Sequence, residues 1–177
     1  MRLAATEGEL RRVLHAAEFS RHYGFRLEAI GEGRSVIRAP FSRALERPGG
    51  MVSGPVFMAA ADAAMWLAVM TRLGPRDRSV TSTLTTTFLR AAREEDVVCE
   101  ARVLKLGRRL IYGVAECAGG DGQLFSHHVI TYARADGAPQ SRIQDSARGI
   151  SGSARARSSP PPTAGARRRR PSTSARR

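Results

Sequence analysis

The chain has 177 residues, of which 42% are hydrophobic and 25% are charged, and its formal net charge is +13. This balance is typical of one globular domain, with room for an appendage. The two cysteines, Cys99 and Cys117, are too few for a disulfide-stabilised scaffold or for a zinc site with four thiolate ligands.

The sequence does not indicate a membrane protein or a secreted one. Its longest apolar run, Pro55 to Met70, carries Asp62 at its centre, and a charge at that place disfavours a transmembrane span. The N-terminal segment MRLAATEGEL has acids at Glu7 and Glu9 and no apolar core, so we expect no secretory signal. We therefore expect a cytoplasmic protein with reduced thiols and no membrane association.

Most of the positive charge belongs to the last 40 residues. Residues 138–177 contain ten arginines and one acid, Asp145, which account for +9 of the net charge. They contain no aromatic residue, no Leu and no Val, so they cannot bury enough apolar surface to offset the entropy of ordering. We expect a disordered tail rich in Arg, Ser, Pro and Ala after a folded domain at residues 1–137. The Arg167 to Arg170 run would attract phosphates, but the tail has no aromatic ring to stack on a base, which disfavours a specific nucleic-acid role.

The first elements of the folded part are a helix and two short strands. Helical spacing of apolar residues and a Thr-x-x-Glu capping box predict a helix from Thr6 to Phe19. Strands are predicted at Arg26 to Ile30 and at Ser35 to Ala39, because a glycine-containing turn separates two short β-prone segments. A loop with proline and glycine breakers is predicted from Pro40 to Gly54.

A buried helix and four strands follow. Pro55 opens a segment rich in Ala, Met and Leu, which favours a helix that is apolar on all sides and covered by other elements. The four predicted strands are Ser79 to Arg90, Asp96 to Leu106, Leu110 to Ala118 and Leu124 to Arg134. The short gaps between them predict antiparallel hairpins. The order predicts an α+β fold in which a curved antiparallel sheet wraps around one central helix and pairs with a second copy.

Three features around the central helix suggest a reaction site. Gly54 precedes the helix, where unpaired N–H groups can stabilise a polarised carbonyl oxygen; Pro55 has no N–H, so the donor is Gly54 or a residue beyond Pro55. Asp62 lies within the apolar helix and needs a hydrogen-bond partner. Strand alternation places Thr81 on one face of its strand together with Thr83, Thr85 and Thr87. Each feature also has a purely structural explanation. A Gly-Pro pair commonly precedes a helix, a buried acid can accept hydrogen bonds from neighbouring backbone, and threonine favours β-strands.

The spacing of these residues predicts a site shared between two subunits. Gly54 and Asp62 are eight residues apart, about 12 Å along a helix. A reacting carbon lies about 3 Å from both its oxyanion donors and its attacking group, so one chain does not easily supply both. The neighbouring His127 and His128 point to opposite faces of a strand, and without a second ligand cluster they do not predict a metal site.

Three segments carry a resemblance to a known family. The stretch RPGGMVSGPVFMAAADAA (Arg47 to Ala64), then SVTSTLTTTFLRAA, then VLKLGRRLIYGVAE resemble, in order and spacing, the PaaI-like hotdog-fold acyl-CoA thioesterases. The resemblance covers residues Phe19 to Arg134. It implies a helix enclosed by an antiparallel sheet, dimers that often form tetramers, and active sites at the dimer interface.

The resemblance also implies roles for individual residues. The family's helical acid matches Asp62, which would act as general base or nucleophile; its oxyanion glycine matches Gly54, and the hydroxyl that assists the attacking water matches Thr81. Coenzyme A, part of the substrate and not a separate cofactor, would bind along two strand ends, whose candidates are Phe88, Arg90, Lys105, Arg108 and Arg109. We expect the floor of the acyl pocket to involve Met58, Met65 and Trp66, because soft methionines accept many shapes.

The sequence departs from the family pattern just before the helix. The usual His-Gly-Gly reads Ser53-Gly54-Pro55, and Arg47 stands where many members carry an amide. The Ser53 hydroxyl could replace part of the lost hydrogen bonding, whereas Arg47 could pair with a partner's Asp62 and weaken it as a base. The favoured interpretation is a homo-oligomeric acyl-CoA thioesterase, a dimer or a dimer of dimers. The alternative is a hotdog protein that binds acyl-CoA without hydrolysing it.

Overall fold

The computed structural model describes residues 3–134, and the predicted tail at residues 138–177 lies outside them. Within this range the chain forms three α-helices and eight strands. The helices are α1 (Glu7–Ala16), α2 (Glu18–Tyr23) and α3 (Gly54–Leu73). The strands are β1 (Arg26–Gly31), β2 (Arg34–Ala39), β3 (Glu46–Arg47), β4 (Met51–Val52), β5 (Val80–Phe88), β6 (Val97–Leu106), β7 (Leu110–Ala118) and β8 (Leu124–Ala133).

Six strands form one antiparallel sheet, and α3 is its central helix. The strand order is β1-β2-β6-β7-β8-β5, and every pairing between neighbours is antiparallel. Helix α3 contacts all six strands. The predicted α+β architecture, an antiparallel sheet around one central helix, is therefore confirmed.

Small residues let α3 approach the sheet closely. Five alanines of this helix are buried, and the Ser35 hydroxyl of β2 donates a hydrogen bond of 2.6 Å to the Ala64 carbonyl. Met65 lies directly over Gly113 of β7, where an added Cβ would come within 2.4 Å of the Met65 methyl carbon. The same Cβ would come within 2.5 Å of the Arg102 backbone oxygen of β6, which cannot move aside as a side chain can, so close packing favours glycine at this position.

The helix predicted from Thr6 to Phe19 begins as expected but is not continuous. The Thr6 hydroxyl accepts from the Glu9 N–H and the Glu9 carboxylate accepts from the Thr6 N–H, which confirms the capping box. The predicted single helix is interrupted at Ala17, whose backbone is extended (φ −76°, ψ 122°). The break lets α2 turn away from α1 and place Phe19 against Trp66 of α3, with ring centroids 6.1 Å apart.

The connection between β5 and β6 is a crossover, which corrects the predicted hairpin. Strand β5 pairs with β8 at the edge of the sheet, and β7 and β8 lie between it and β6. Residues 89–96 span that gap of about 14 Å, well within the reach of eight extended residues. They are held on the way by the Leu89 and Arg90 N–H groups, which donate to the Phe125 carbonyl, and by the Val52 N–H, which donates to Ala92.

Within residues 3–134, α3 is long and apolar enough to cross a membrane by length and composition alone. About 67% of its apolar window is buried inside the protein. The core helix of a compact fold passes the same test, so this is weak evidence for a span.

Candidate active site

The carboxylate of Asp62 receives hydrogen bonds from two hydroxyl groups of the sheet. The Thr81 hydroxyl donates to Oδ1 over 2.6 Å, and the Tyr132 hydroxyl lies 2.8 Å from the same oxygen. Tyr132 also lies 3.0 Å from the backbone carbonyl oxygen of Asp62. Within residues 3–134 the other carboxylate oxygen, Oδ2, has no hydrogen-bond partner, so it is available to a ligand or a water molecule.

A β-bulge in β5 aims Thr81 at this carboxylate. The register slips between Thr81, which pairs with Tyr132, and Thr83, which pairs with Thr131. Thr81 therefore shares the helix-facing side of the sheet with Tyr132, while Thr83 points to the opposite face. The prediction that Thr81, Thr83, Thr85 and Thr87 share one face is wrong for Thr81, because the extra residue reverses the alternation.

Asp62 opens onto a cavity with apolar walls. Its volume is about 240 Å³, and Asp62 and Thr81 line it together with Phe19, Trp66 and Val80. Of the three residues predicted to form the floor of the acyl pocket, Trp66 lines this cavity together with Asp62. Met58 is exposed on α3 one turn before Asp62, and it lines neither this cavity nor the one at Gly54. The prediction is wrong for Met65, which is fully buried because its side of α3 faces the sheet.

Gly54 lies at a second and larger cavity. This cavity has a volume of about 400 Å³, and Phe57, Phe88, Arg90 and Arg47 contribute to its walls. Phe88 stands over the helix start, since a Cβ on Gly54 would come within 3.2 Å of its ring. The side chain of Ser53, at the N-cap position, does not cap the helix.

The first positions of α3 leave one N–H group for a ligand. The Val56 N–H already donates to the Ser53 carbonyl over 3.0 Å, and Pro55 has no N–H. The Gly54 N–H is therefore the candidate oxyanion donor in this turn. It lies at the end of the helix where the backbone dipoles favour partial negative charge.

The candidate coenzyme A residues fall into two separate groups, and all of them are exposed: Phe88 and Arg90 at the Gly54 cavity, and Lys105, Arg108 and Arg109 at the end of β6 and in the turn to β7. Arg47, at the family's amide position, is also exposed and lines the Gly54 cavity. The turn from β6 to β7 lies at the Asp62 end of the sheet, because the Arg134 N–H donates to the Arg109 carbonyl just after Tyr132. The nine residues of β5 separate the two ends by about 26 Å. One chain therefore holds these two groups of side chains at opposite ends of β5.

A second polar cluster lies in the core and is closed to substrate. The fully buried His128 of β8 bonds through Nδ1 to the Thr86 hydroxyl (2.9 Å) and through Nε2 to the Ser126 hydroxyl (2.9 Å). Its Nε2 also lies 3.6 Å from Sγ of Cys117. Hydrogen bonding from Cys99, with His128 and Ser126 adding to it, lowers the pKa of the Cys117 thiol to about 6 against the effect of burial. Burial raises the pKa of the Cys99 thiol, its cross-strand partner.

Comparison with known proteins identifies the family. The family model described as the thioesterase superfamily matches residues 49–125, which include Gly54, Asp62 and Thr81. A protein of Thermoplasma acidophilum with the name "Putative esterase Ta0293" is 30% identical over 124 residues, which cover 70% of this chain and 93% of that protein. The chain belongs to the thioesterase superfamily. Its general reaction is therefore the hydrolysis of thioesters.

Solved structures show the same fold for this thioesterase. The conserved protein PA5202 from Pseudomonas aeruginosa is 30% identical and has a TM-score of 0.66, with 70% of this chain and 98% of that chain covered. The PaaI protein of E. coli is 16% identical, a level that speaks for the fold alone, with a TM-score of 0.64 and coverage of 72% and 94%. The predicted hotdog fold and the resemblance to PaaI-like thioesterases are confirmed.

Sequence reasoning missed Tyr132 as a neighbour of the acid. The only signal available was a tyrosine among the alternating residues of the last strand, and such residues usually belong to the core. No group of three or more His, Cys, Asp or Glu side chains that could hold a metal ion occurs among residues 3–134. One cavity brings together the Asp62 carboxylate and the hydroxyls of Thr81 and Tyr132, and the other holds the Gly54 N–H at a helix N-terminus.

Proposed function

We propose that this thioesterase hydrolyses acyl-CoA to a free acid and coenzyme A, in sites built by two copies of the chain. The separation of Gly54 from Asp62 carries the proposal. They line different cavities, about 12 Å apart along α3, whereas a thioester carbon must lie about 3 Å from both the donor and the attacking group. A second copy supplies the missing half of each site.

The exposed edge of β5 supports this assembly. β5 is the last strand in the sheet order, and most of its residues are exposed. Two β5 edges paired around a twofold axis would place the Phe88 end of one copy beside the Val80 end of the other. Because Phe88 lines the Gly54 cavity and Val80 lines the Asp62 cavity, this one operation joins the two half-sites.

An exposed stripe on α3 supports the same assembly. Pro55 and Met58 are exposed, and Asp62 and Trp66 are half-buried, at intervals of three or four residues along one side of the helix. Their own sheet covers the opposite side. An apolar stripe beside an unpaired strand edge is the surface that a second copy would bury.

The charge distribution supports coenzyme A as the leaving group. In the twofold arrangement, Arg90 of one copy comes to the same end as Lys105, Arg108 and Arg109 of the other. The phosphates of coenzyme A carry the negative charge that such a cluster attracts. We also propose a cytoplasmic location, which the two free thiols support.

The proposed reaction uses both halves of a shared site at the same time. The Gly54 N–H polarises the carbonyl oxygen, and the partner subunit's Asp62 accepts a proton from water as the water oxygen bonds to the carbonyl carbon. The C–S bond then breaks, and the proton passes to the thiolate of coenzyme A. A donor of the Gly54 kind is typically worth about 3 kcal/mol in the transition state.

Mixing two variants tests the shared site. We expect Asp62→Asn and Gly54→Val each to release almost no thiol from a panel of short, medium, long and aryl acyl-CoAs. The first variant loses the base; the second keeps the N–H but adds a side chain that meets the Phe88 ring and crowds the place of the carbonyl. After mixing and subunit exchange, half of the dimers are mixed and each holds one intact site, so about a quarter of the wild-type activity returns. Gly120→Val is the matched control, because a Cβ at Gly120 meets nothing within 4 Å.

Two outcomes would contradict the proposal. Wild-type protein that binds acyl-CoA in calorimetry without releasing thiol would make the chain a binding protein. Mixtures that stay inactive, although native mass spectrometry shows mixed dimers, would place the whole site within one chain.

A further inference from the structure

We propose that Tyr132 is the positioning residue of this site: its hydroxyl holds the Asp62 carboxylate so that Oδ1 is occupied and Oδ2 accepts the proton from water. The inference rests on the proposed function, because it assigns the reacting oxygen of the proposed general base. Tyr132 lines the same cavity as Asp62, and the role proposed for it acts through the carboxylate.

The contacts of Tyr132 fix the orientation of the carboxylate. Its hydroxyl lies 2.8 Å from Oδ1 and 3.0 Å from the backbone oxygen of the same aspartate. A single group held against both the backbone and the side chain of Asp62 restricts the torsions between them. Rotation of the carboxylate would break the contact with Oδ1.

A second donor reinforces the choice of oxygen. Thr81 is the cross-strand partner of Tyr132, and its hydroxyl donates to the same Oδ1 over 2.6 Å. Two hydroxyl donors occupy the lone pairs of that oxygen. Within residues 3–134, Oδ2 is left without a hydrogen bond, and Asp62 lines the cavity of about 240 Å³.

The surroundings of Tyr132 keep it a donor. It is only 2% exposed, and burial, followed by the nearby Asp62 charge, raises the pKa of its phenol. The neutral phenol therefore persists over the working pH range. The other elements around the acid contribute Phe19 from α2 and Trp66 from α3, which carry no charge, and the carboxylate of Asp77 acts on the phenol from the turn before β5.

The position of the carboxylate affects catalysis. A general base must place a lone pair within hydrogen-bond distance of the proton that it takes. Loss of the Tyr132 hydroxyl would leave the Thr81 hydroxyl as the donor to Oδ1 and would let the carboxylate rotate. Loss of the Tyr132 hydroxyl should therefore slow proton transfer without weakening substrate binding.

Tyr132→Phe, compared with Tyr112→Phe, tests the inference. Tyr112 is 41% exposed on β7 and serves as the matched control. We expect Tyr132→Phe to lower kcat about 10- to 100-fold with KM within twofold, as for the loss of a hydrogen bond to a charged group. A loss of kcat without a change in KM distinguishes a positioning role from a role in substrate binding, and Tyr112→Phe should resemble the wild type in both constants.

Carbon-13 NMR of the aspartate carboxyl groups gives a readout that needs no turnover. With the Asp62 signal assigned by its absence in Asp62→Asn, its chemical shift at neutral pH should change in Tyr132→Phe and stay unchanged in Tyr112→Phe, because only the first variant removes a hydrogen-bond donor from Oδ1. An unchanged Asp62 signal in Tyr132→Phe, or a kcat of Tyr132→Phe equal to that of an active wild type, would overturn the role of Tyr132. A wild type that hydrolyses no acyl-CoA would overturn the proposed function instead, and the NMR spectra would still decide the inference.

Discussion

Strands β5 and β8 contribute to two polar clusters, one around Asp62 and one around His128. The clusters differ in whether a hydrogen-bond acceptor is left without a partner among residues 3–134. At one end of β5 and β8, one carboxylate oxygen of Asp62 accepts hydrogen bonds from two hydroxyl groups, the other accepts none from residues 3–134, and the residue lines a cavity. Further along, His128 uses both ring nitrogens on the hydroxyls of neighbouring residues and is fully buried. Both clusters satisfy buried polar groups, as a folded core requires. Only the first retains an acceptor for chemistry.

The comparison separates stability from catalysis. A closed network contributes to folding because removal of one member leaves its partners buried without hydrogen bonds. A network with an unpaired acceptor contributes less to folding and more to reactivity, because that acceptor can form a hydrogen bond with a ligand. Perturbing the Asp62 cluster should therefore affect turnover, and perturbing the His128 cluster should affect unfolding.

The largest expected effect is on turnover, from Asp62→Asn. The amide keeps an oxygen for the Thr81 and Tyr132 hydroxyls but cannot accept a proton, so we expect kcat to fall about 10³-fold. The melting temperature should change by only a few degrees. Thiol-release kinetics and circular dichroism measure the two, with Asp121→Asn on an exposed turn as the control. Retention of wild-type activity by Asp62→Asn would remove Asp62 from the mechanism.

His128→Ala should show the opposite pattern. It leaves a cavity and deprives the Thr86 and Ser126 hydroxyls of their partner, which lowers the free energy of unfolding by about 3 kcal/mol. At 25 °C the kcat of the folded protein should stay within twofold of wild type. Urea unfolding and thiol release test this, and His15→Ala, at an exposed position of α1, should change neither. A large loss of kcat without a loss of stability would contradict the division.

Alkaline pH should weaken the fold through Tyr132. Burial raises the pKa of this phenol in the folded protein, whereas the unfolded phenol loses its proton at its ordinary pKa of about 10. Above that pH the unfolded state binds fewer protons than the folded state, so the free energy of unfolding falls as pH rises. The stabilisation is complete below pH 10 and decreases above it by up to about 1.4 kcal/mol per pH unit.

Urea unfolding between pH 9 and pH 11.5 checks this slope. Tyr132→Phe should show a smaller decrease than wild type, and Tyr112→Phe should follow wild type because its ring is exposed. Equal slopes in all three proteins would show that the phenol of Tyr132 titrates alike in the folded and unfolded states.

The smallest effects come from two threonines of the same strand. Thr81→Val removes a donor to Asp62 and should lower kcat about tenfold with little change in stability. Thr86→Val removes the partner of His128 Nδ1 and should lower the free energy of unfolding by about 1 kcal/mol with kcat unchanged. Each variant is the control for the other. If both lost activity alike, the two clusters would act as one network.

Much of the fold could be predicted because local rules govern it. The capping box at Thr6, the long α3 after Pro55 and the bounds of β7 each follow from residues close in sequence, and each agrees with the structure. The break at Ala17 was missed because the apolar spacing continues through it. The pairing of β5 with β8 was missed because a short connection usually forms a hairpin.

The candidate site was only partly predictable for the same reason. Gly54 and Asp62 are eight residues apart in the sequence, so their separation along one helix could be predicted. Their roles in the reaction stay predictions. The bulge that turns Thr81 toward the helix could not be foreseen, since strand alternation places Thr81 with Thr83. Tyr132 lies 70 residues from Asp62, and no local pattern connects them.

The sequence alone thus determined the kinds of element, their order and the isolation of one acid in an apolar helix, because these depend on periodicity and on neighbouring residues. Only the tertiary structure decided which hydroxyls reach that acid and which of its oxygens stays open. Those choices depend on strand order and register, where a slip of one residue reverses every side chain.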